Sequence, residues 1–169
     1  HDIRIFNTDL GKIAINICYD SEFPIIARKQ VEAGADLILV PSCTDTKAGY
    51  HRVRIGCQAR ALENQCFVAQ SCTVGEASWS PAVDLNTGAA AVFTPVDRGF
   101  PDNGVLAMGA LNEPGWVFAD VDLNDIERVR KEGQVFIIET GPINSGLQGL
   151  WSSILVSWLP VVAENRINH

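Results

Sequence analysis

The chain has 169 residues, enough to bury one sizeable core, and its 47% hydrophobic and 20% charged content fits an ordinary globular domain. A formal charge of −7 argues against a nucleic-acid binder, which would present a basic face. Five cysteines without a CxxC, and three histidines of which two are terminal, exclude a disulfide scaffold and a structural zinc site. Free thiols suit a reducing compartment, so the expected location is cytoplasmic.

Ile3 to Phe6 alternates and leads into the turn signal Asp9-Leu10-Gly11-Lys12. Ile13 to Cys18, β-branched at every other position, is expected as the second strand of a hairpin, with Cys18 at its end. Pro24 to Ala33 reads as a helix, with Pro at its start and Gly34 just past its end. Leu37 to Val40 is an apolar run of strand length, so Ile13–Cys18, the helix and this run form a β-α-β unit with parallel strands. Ser42 to Gly49 is a polar loop, Tyr50 to Gln65 a helix and Phe67 to Ser71 a third strand.

Gly75 to Gly88 is expected as a long loop, followed by strands at Ala89–Thr94 and Trp116–Val121. Asp125 to Glu132 reads as a short helix, capped by Asn124 with Glu127 at N3 and closed by Gly133 as the C′ residue. After Gln134 the pattern weakens. The apolar stretch Leu147 to Ala163 is interrupted by Gly149, Ser152, Ser153, Ser157 and Pro160, so no membrane span is expected. The opening at His1, directly in a strand-like segment without Met, suggests a fragment or a processed chain.

Cys18 is the residue with the most chemical promise. It stands where a strand of an open α/β sheet meets a helix, the position that lines a ligand crevice and feels the helix dipole. The N–H of Tyr19 would point at an oxyanion on the carbon that Cys18 attacks. Position alone also fits a buried, inert cysteine, the role expected for Cys57, Cys66 and Cys72. Cys43, in the loop after the next strand, would border the same mouth.

No residue stands out as a base for Cys18. His51 opens a polar helix and fits a solvated helix end as well as a Cys–His dyad. Lys12 lies ~20 Å away along its strand, and Lys47 reaches the right end of the sheet but also suits a solvated loop. Glu22 can cap the next helix, and Glu63 is expected to pair with Arg60.

Gly11-Lys12-Ile13-Ala14-Ile15-Asn16-Ile17-Cys18-Tyr19-Asp20, with Phe23-Pro24 and Ala27-Arg28, resembles the nucleophile motif of the nitrilase-type carbon–nitrogen hydrolases. The resemblance continues through Gly34-Ala35-Asp36, Val40-Pro41-Ser42 and Arg60-Ala61-Leu62-Glu63-Asn64-Gln65, as far as about Gln134. It implies an α/β fold, about half of a four-layer α-β-β-α sandwich, in residues 1–134. Residues 135–169 match nothing in it and are expected to be a tail of unclear origin or an interface extension.

The resemblance also implies a Glu-Lys-Cys catalytic set acting on a small-molecule amide, with a thioester on Cys18 and the Tyr19 N–H at the oxyanion. Ser42, Cys43 and Thr44 match the loop that borders substrate, and Glu63 and Asn64 match a structural motif. No cofactor or metal is implied, and no nucleic acid or membrane. Homodimers or higher oligomers are expected. The Glu and Lys of the set lie upstream of the Cys by distances that these residues do not contain. The alternative expectation is therefore a non-catalytic half-domain or oligomerisation module.

Overall fold

The computed structural model describes residues 3–135. They form a six-stranded mixed sheet of β1 (Ile5–Thr8), β2 (Gly11–Ile15), β3 (Leu37–Ser42), β4 (Phe67–Cys72), β7 (Ala91–Phe93) and β8 (Val105–Met108) in that spatial order, with a separate hairpin of β5 (Gly75–Glu76) and β6 (Leu85–Asn86). β1 (Ile5–Thr8) and β2 (Gly11–Ile15) are antiparallel, and Thr8 pairs Gly11 across the turn at Asp9-Leu10. The Thr8 hydroxyl fastens that turn by donating to the Gly11 carbonyl at 2.7 Å while accepting from the Leu10 N–H at 3.2 Å.

α1 (Pro24–Glu32) crosses from β2 to β3 (Leu37–Ser42), which lies parallel to β2. α2 (Lys47–Asn64) then returns the chain to β4 (Phe67–Cys72), parallel to β3. The β-α-β unit expected from the apolar run and Gly34 is therefore present, and α2 begins earlier than expected. The Thr46 hydroxyl captures the Gly49 N–H at 3.1 Å and starts the helix there.

Contrary to expectation, Cys18 does not end a strand. β2 stops at Ile15, and Cys18 opens a 3-10 turn over Cys18–Glu22. Trp116–Val121, also expected as a strand, is not one: Trp116 and Phe118 are exposed and their rings stack at 6.5 Å between centroids. The antiparallel partner of β7 (Ala91–Phe93) is instead β8 (Val105–Met108). The expected long loop Gly75–Gly88 holds the hairpin of β5 (Gly75–Glu76) and β6 (Leu85–Asn86).

α3 (Leu123–Glu132) is capped by Asp122, not Asn124, through its carboxylate at 2.9 Å from the Asn124 N–H. Gly133 is extended (φ −70°, ψ −179°) and not left-handed. It is required by space, since a β-carbon there would run into the Val129 carbonyl and the Asp97 carboxylate.

The core lies between the sheet and α1 and α2. Alternate residues Ile38, Val40, Val68 and Phe93 are buried with Ala27, Val31, Val53, Cys57 and Ala61 of the helices. The opposite face of the sheet is apolar and more open, a groove lined by Ile15, Leu39, Pro41, Ala69, Val92 and Trp116. Among the described residues no helix is long and apolar enough to cross a membrane. The expected tail falls almost wholly outside the described residues.

Candidate active site

The sharpest local feature is the backbone of Cys18, whose φ of +48° is left-handed. A non-glycine residue in that region costs of order 1–3 kcal/mol and persists only where its surroundings fix it. Here the surroundings are explicit. The Asp20 carboxylate accepts the Ile17 N–H at 3.0 Å, and the Asp20 N–H donates to the Ile17 carbonyl at 3.0 Å. The Ser21 hydroxyl donates to the Cys18 carbonyl at 2.7 Å, and the Phe23 N–H closes on the Asp20 carbonyl at 3.2 Å.

This clamp ends β2 early and turns the half-buried Cys18 thiol toward β3. The thiol points at the main-chain carbonyl of Cys43, with sulfur and oxygen 3.6 Å apart. The Tyr19 ring lies on the surface against Phe23, edge to face at 4.9 Å. Its N–H makes no hydrogen bond among the described residues, which leaves a main-chain donor free next to Cys18 in the chain.

Of the three loop residues expected to border substrate, the structure brings Cys43 to Cys18 and turns the other two side chains away. The buried Ser42 hydroxyl folds back toward the Val40 carbonyl at 3.4 Å. The Thr44 hydroxyl donates to the Thr87 carbonyl at 2.6 Å. Cys43 itself is exposed, and its thiol donates to the Asn86 side-chain oxygen at 3.0 Å.

The other candidates are occupied elsewhere. The His51 ring lies beside Tyr50, with centroids 5.1 Å apart, and no hydrogen bond joins it to Cys18. Glu22 faces Arg52 at 3.5 Å. Glu63 approaches Arg60 to 2.8 Å, near enough for an ion pair although that Nε–H is not aimed at it. The Asn64 amide donates to the Arg60 carbonyl at 3.0 Å, a helix-internal bond. Lys47 is exposed in the first turn of α2.

Burial separates Cys57 and Cys66 from the half-buried Cys18. It pushes Cys57 and Cys66 up to about 12, with the Ser21 hydroxyl opposing the shift at Cys57 and the Arg130 charge opposing it at Cys66. Burial also raises Cys72, against a hydrogen bond from the Gln70 amide. At neutral pH these three are thiols packed in the core or at its edge, the inert role expected of them.

Two residues of the site escaped the sequence reading. Asp20 was visible in the motif but not as the clamp of the turn. Asn86 stands in a stretch rich in Ser, Pro and Gly and gives no local sign of its link to Cys43.

Residues 1–131 match the family described as carbon-nitrogen hydrolase. A probable hydrolase of Bacillus subtilis, YhcX, is 42% identical over 133 residues, which are 79% of this chain and 26% of that protein. Saccharomyces cerevisiae Nit3, a member of the nitrilase superfamily, shares the fold with a TM-score of 0.64 at 22% identity, over 86% of this chain and 47% of that one. An amidase mutant from Nesterenkonia, carrying the acetamide moiety of fluoroacetamide on its active-site cysteine, superposes with a TM-score of 0.55 at 25% identity. That match covers 76% of this chain and 44% of that one, so the chain spans less than half of each of these relatives.

Proposed function

The chain belongs to the carbon–nitrogen hydrolase family, and from that premise we propose that it carries the nucleophile of an amidase-type hydrolase, with Cys18 attacking the carbonyl carbon of a small-molecule amide. The observation that carries this reading is the clamped, left-handed Cys18 with a free N–H at Tyr19 beside it. A sulfur and a free N–H on one turn support this reading, since acyl transfer to a thiol needs a nucleophile and an oxyanion donor.

In the proposed reaction the sulfur adds to the amide carbon and the Tyr19 N–H holds the developing oxyanion. Collapse expels ammonia or an amine and leaves a thioester on Cys18. Water then cleaves the thioester, releasing the acid and restoring the thiol. The Cys43 main chain forms the wall that the acyl group meets, and Ser42 and Thr44 shape it from behind.

The general base and the oxyanion lysine, which the resemblance assigns to a Glu and a Lys, have no counterpart matched in this chain. The reading therefore concerns the whole protein to which these residues belong. The apolar open face of the sheet, with Ile15, Leu39, Ala69 and Val92, supports packing against a second sheet, as a four-layer sandwich requires. The preference for amides over nitriles follows the Nesterenkonia relative, whose cysteine carries an acetamide group.

Ammonia release from simple amides by the full-length protein tests the proposal. Cys18→Ala should abolish it, and a brief reaction should leave an acyl mass on the peptide containing Cys18. Equal rates for the two proteins would sink the reading.

A further inference from the structure

We propose that Asn86 is a positioning residue, holding the Cys43 main chain against the nucleophile. The inference rests on the reading of Cys18 as that nucleophile. Asn86 is buried at 9% exposure and uses both ends of its amide. Its oxygen accepts the Thr73 hydroxyl at 2.7 Å and the Cys43 thiol at 3.0 Å. Its nitrogen donates to the Val83 carbonyl at 2.7 Å and the Gly75 carbonyl at 3.4 Å. The two carbonyls can only accept, while the hydroxyl and the thiol can donate, so the partners fix which way the amide faces.

The neighbouring main chain continues the seam. The Thr87 N–H donates to the Thr44 carbonyl at 2.7 Å, and the Thr44 hydroxyl returns a bond to the Thr87 carbonyl at 2.6 Å. On the other side, the Thr73 N–H donates to the Ser42 carbonyl at 3.0 Å. Cys43 is thus held on both flanks and at its own side chain. Its carbonyl meets the Cys18 sulfur at 3.6 Å.

The β5-β6 hairpin pairs only Gly75 with Asn86 and Glu76 with Leu85, too little to fix its own place. Asn86 ties it to the Cys43 side chain, beside the Thr44–Thr87 bonds. Removing the amide loosens the Cys43 segment and frees the Cys18 sulfur from the carbonyl that ties and crowds it.

The test is the rate at which iodoacetamide alkylates each cysteine in the full-length protein, read by peptide mass spectrometry. Asn86→Leu should speed Cys18 and Cys43 by about threefold or more, the scale of one lost hydrogen bond. Cys57 and Cys66 should stay unreacted, which reports an intact core. Trp79→Ala, at the exposed tip of the hairpin, should leave Cys18 at the wild-type rate. An unchanged Cys18 in Asn86→Leu, or an equal change in Trp79→Ala, overturns the proposal. If Asn86→Leu exposes Cys57, Cys43→Ala decides: a faster Cys18 supports the proposal and an unchanged one overturns it. No turnover enters these measurements, so a failed hydrolase reading would show separately, as absent ammonia release.

Discussion

Gly56 of α2 lies directly against the Ser21 carbonyl, so close that a β-carbon on Gly56 would sit 2.9 Å from that oxygen. The contact joins the longest helix of the sheet's covered face to the turn that carries Cys18. It also explains why a glycine stands in the middle of a helix, where it weakens the helix by about 1 kcal/mol relative to alanine.

Gly56→Ala is therefore expected to destabilise despite its better helix propensity, by about 1–3 kcal/mol, as overpacking does. The Ser21 backbone must shift, and Cys18 with it. Urea unfolding should show the lower midpoint, and Cys18 alkylation should change while Cys57 stays protected. A more stable variant would mean that the turn yields without cost.

Asp20 separates two functions of one carboxylate. Asp20→Ala removes the acceptor of the Ile17 N–H and should cost about 1 kcal/mol, the scale of a lost cap. Asp20→Asn keeps an oxygen there and should retain most of that stability. Thermal melts of the two variants check the order, and equal losses would show that charge alone matters.

High pH should weaken the fold through its buried thiols. Cys57 and Cys66 are held near 12, above the ordinary 9.0, so the folded state keeps protons that the unfolded chain loses. Their contribution is whole below about pH 9 and declines as pH climbs toward the folded values, by up to ~1.4 kcal/mol per pH unit for each thiol. Burial raises Tyr50 in the same sense, against the nearby Arg54 charge. Urea midpoints between about pH 8 and pH 10 should fall, and should fall less steeply in Cys57→Ala, whose ionisable group is gone.

Arg130 and Lys131 are adjacent cations of α3 with very different expected weights. Arg130 reaches the Asp36 carboxylate at 2.7 Å, the Ala35 carbonyl at 3.1 Å and the Gln65 carbonyl at 3.1 Å. Arg130→Ala should cost about 2–3 kcal/mol, since it strands partly buried acceptors. Lys131 pairs with Glu127 on the exposed surface, where water screens the pair, and Lys131→Ala should leave stability almost unchanged. Denaturant titrations that rank the two equally would count against the Arg130 bridge.

The parts of the fold that were legible in the sequence are those whose cause is local. Leu37–Ser42 is a strand because an apolar run sits between a helix stop and a polar loop, and the β-α-β handover follows from it. Cys18 was misread because Ile13, Ile15 and Ile17 keep a strand's rhythm past the point where Asp20 captures the Ile17 N–H. Trp116–Val121 has the composition of a strand, but the chain turning back after Gly104 places Val105–Met108 beside β7 first. Within the site, Cys18 and Cys43 were legible as members of one mouth. Asn86 lies 43 residues from Cys43, and only the folded chain joins them.

If Cys18 is the nucleophile as proposed, its left-handed backbone sets reactivity against thermodynamic preference. At φ +48° glycine is the residue a purely structural selection would choose, since it bears no β-carbon to clash. Cys18→Gly should then fold at least as stably as Cys18→Ala, although glycine lowers stability at most ordinary positions. A chain drifting without need of its chemistry would lose the sulfur first, and would be rewarded for it by a more comfortable turn.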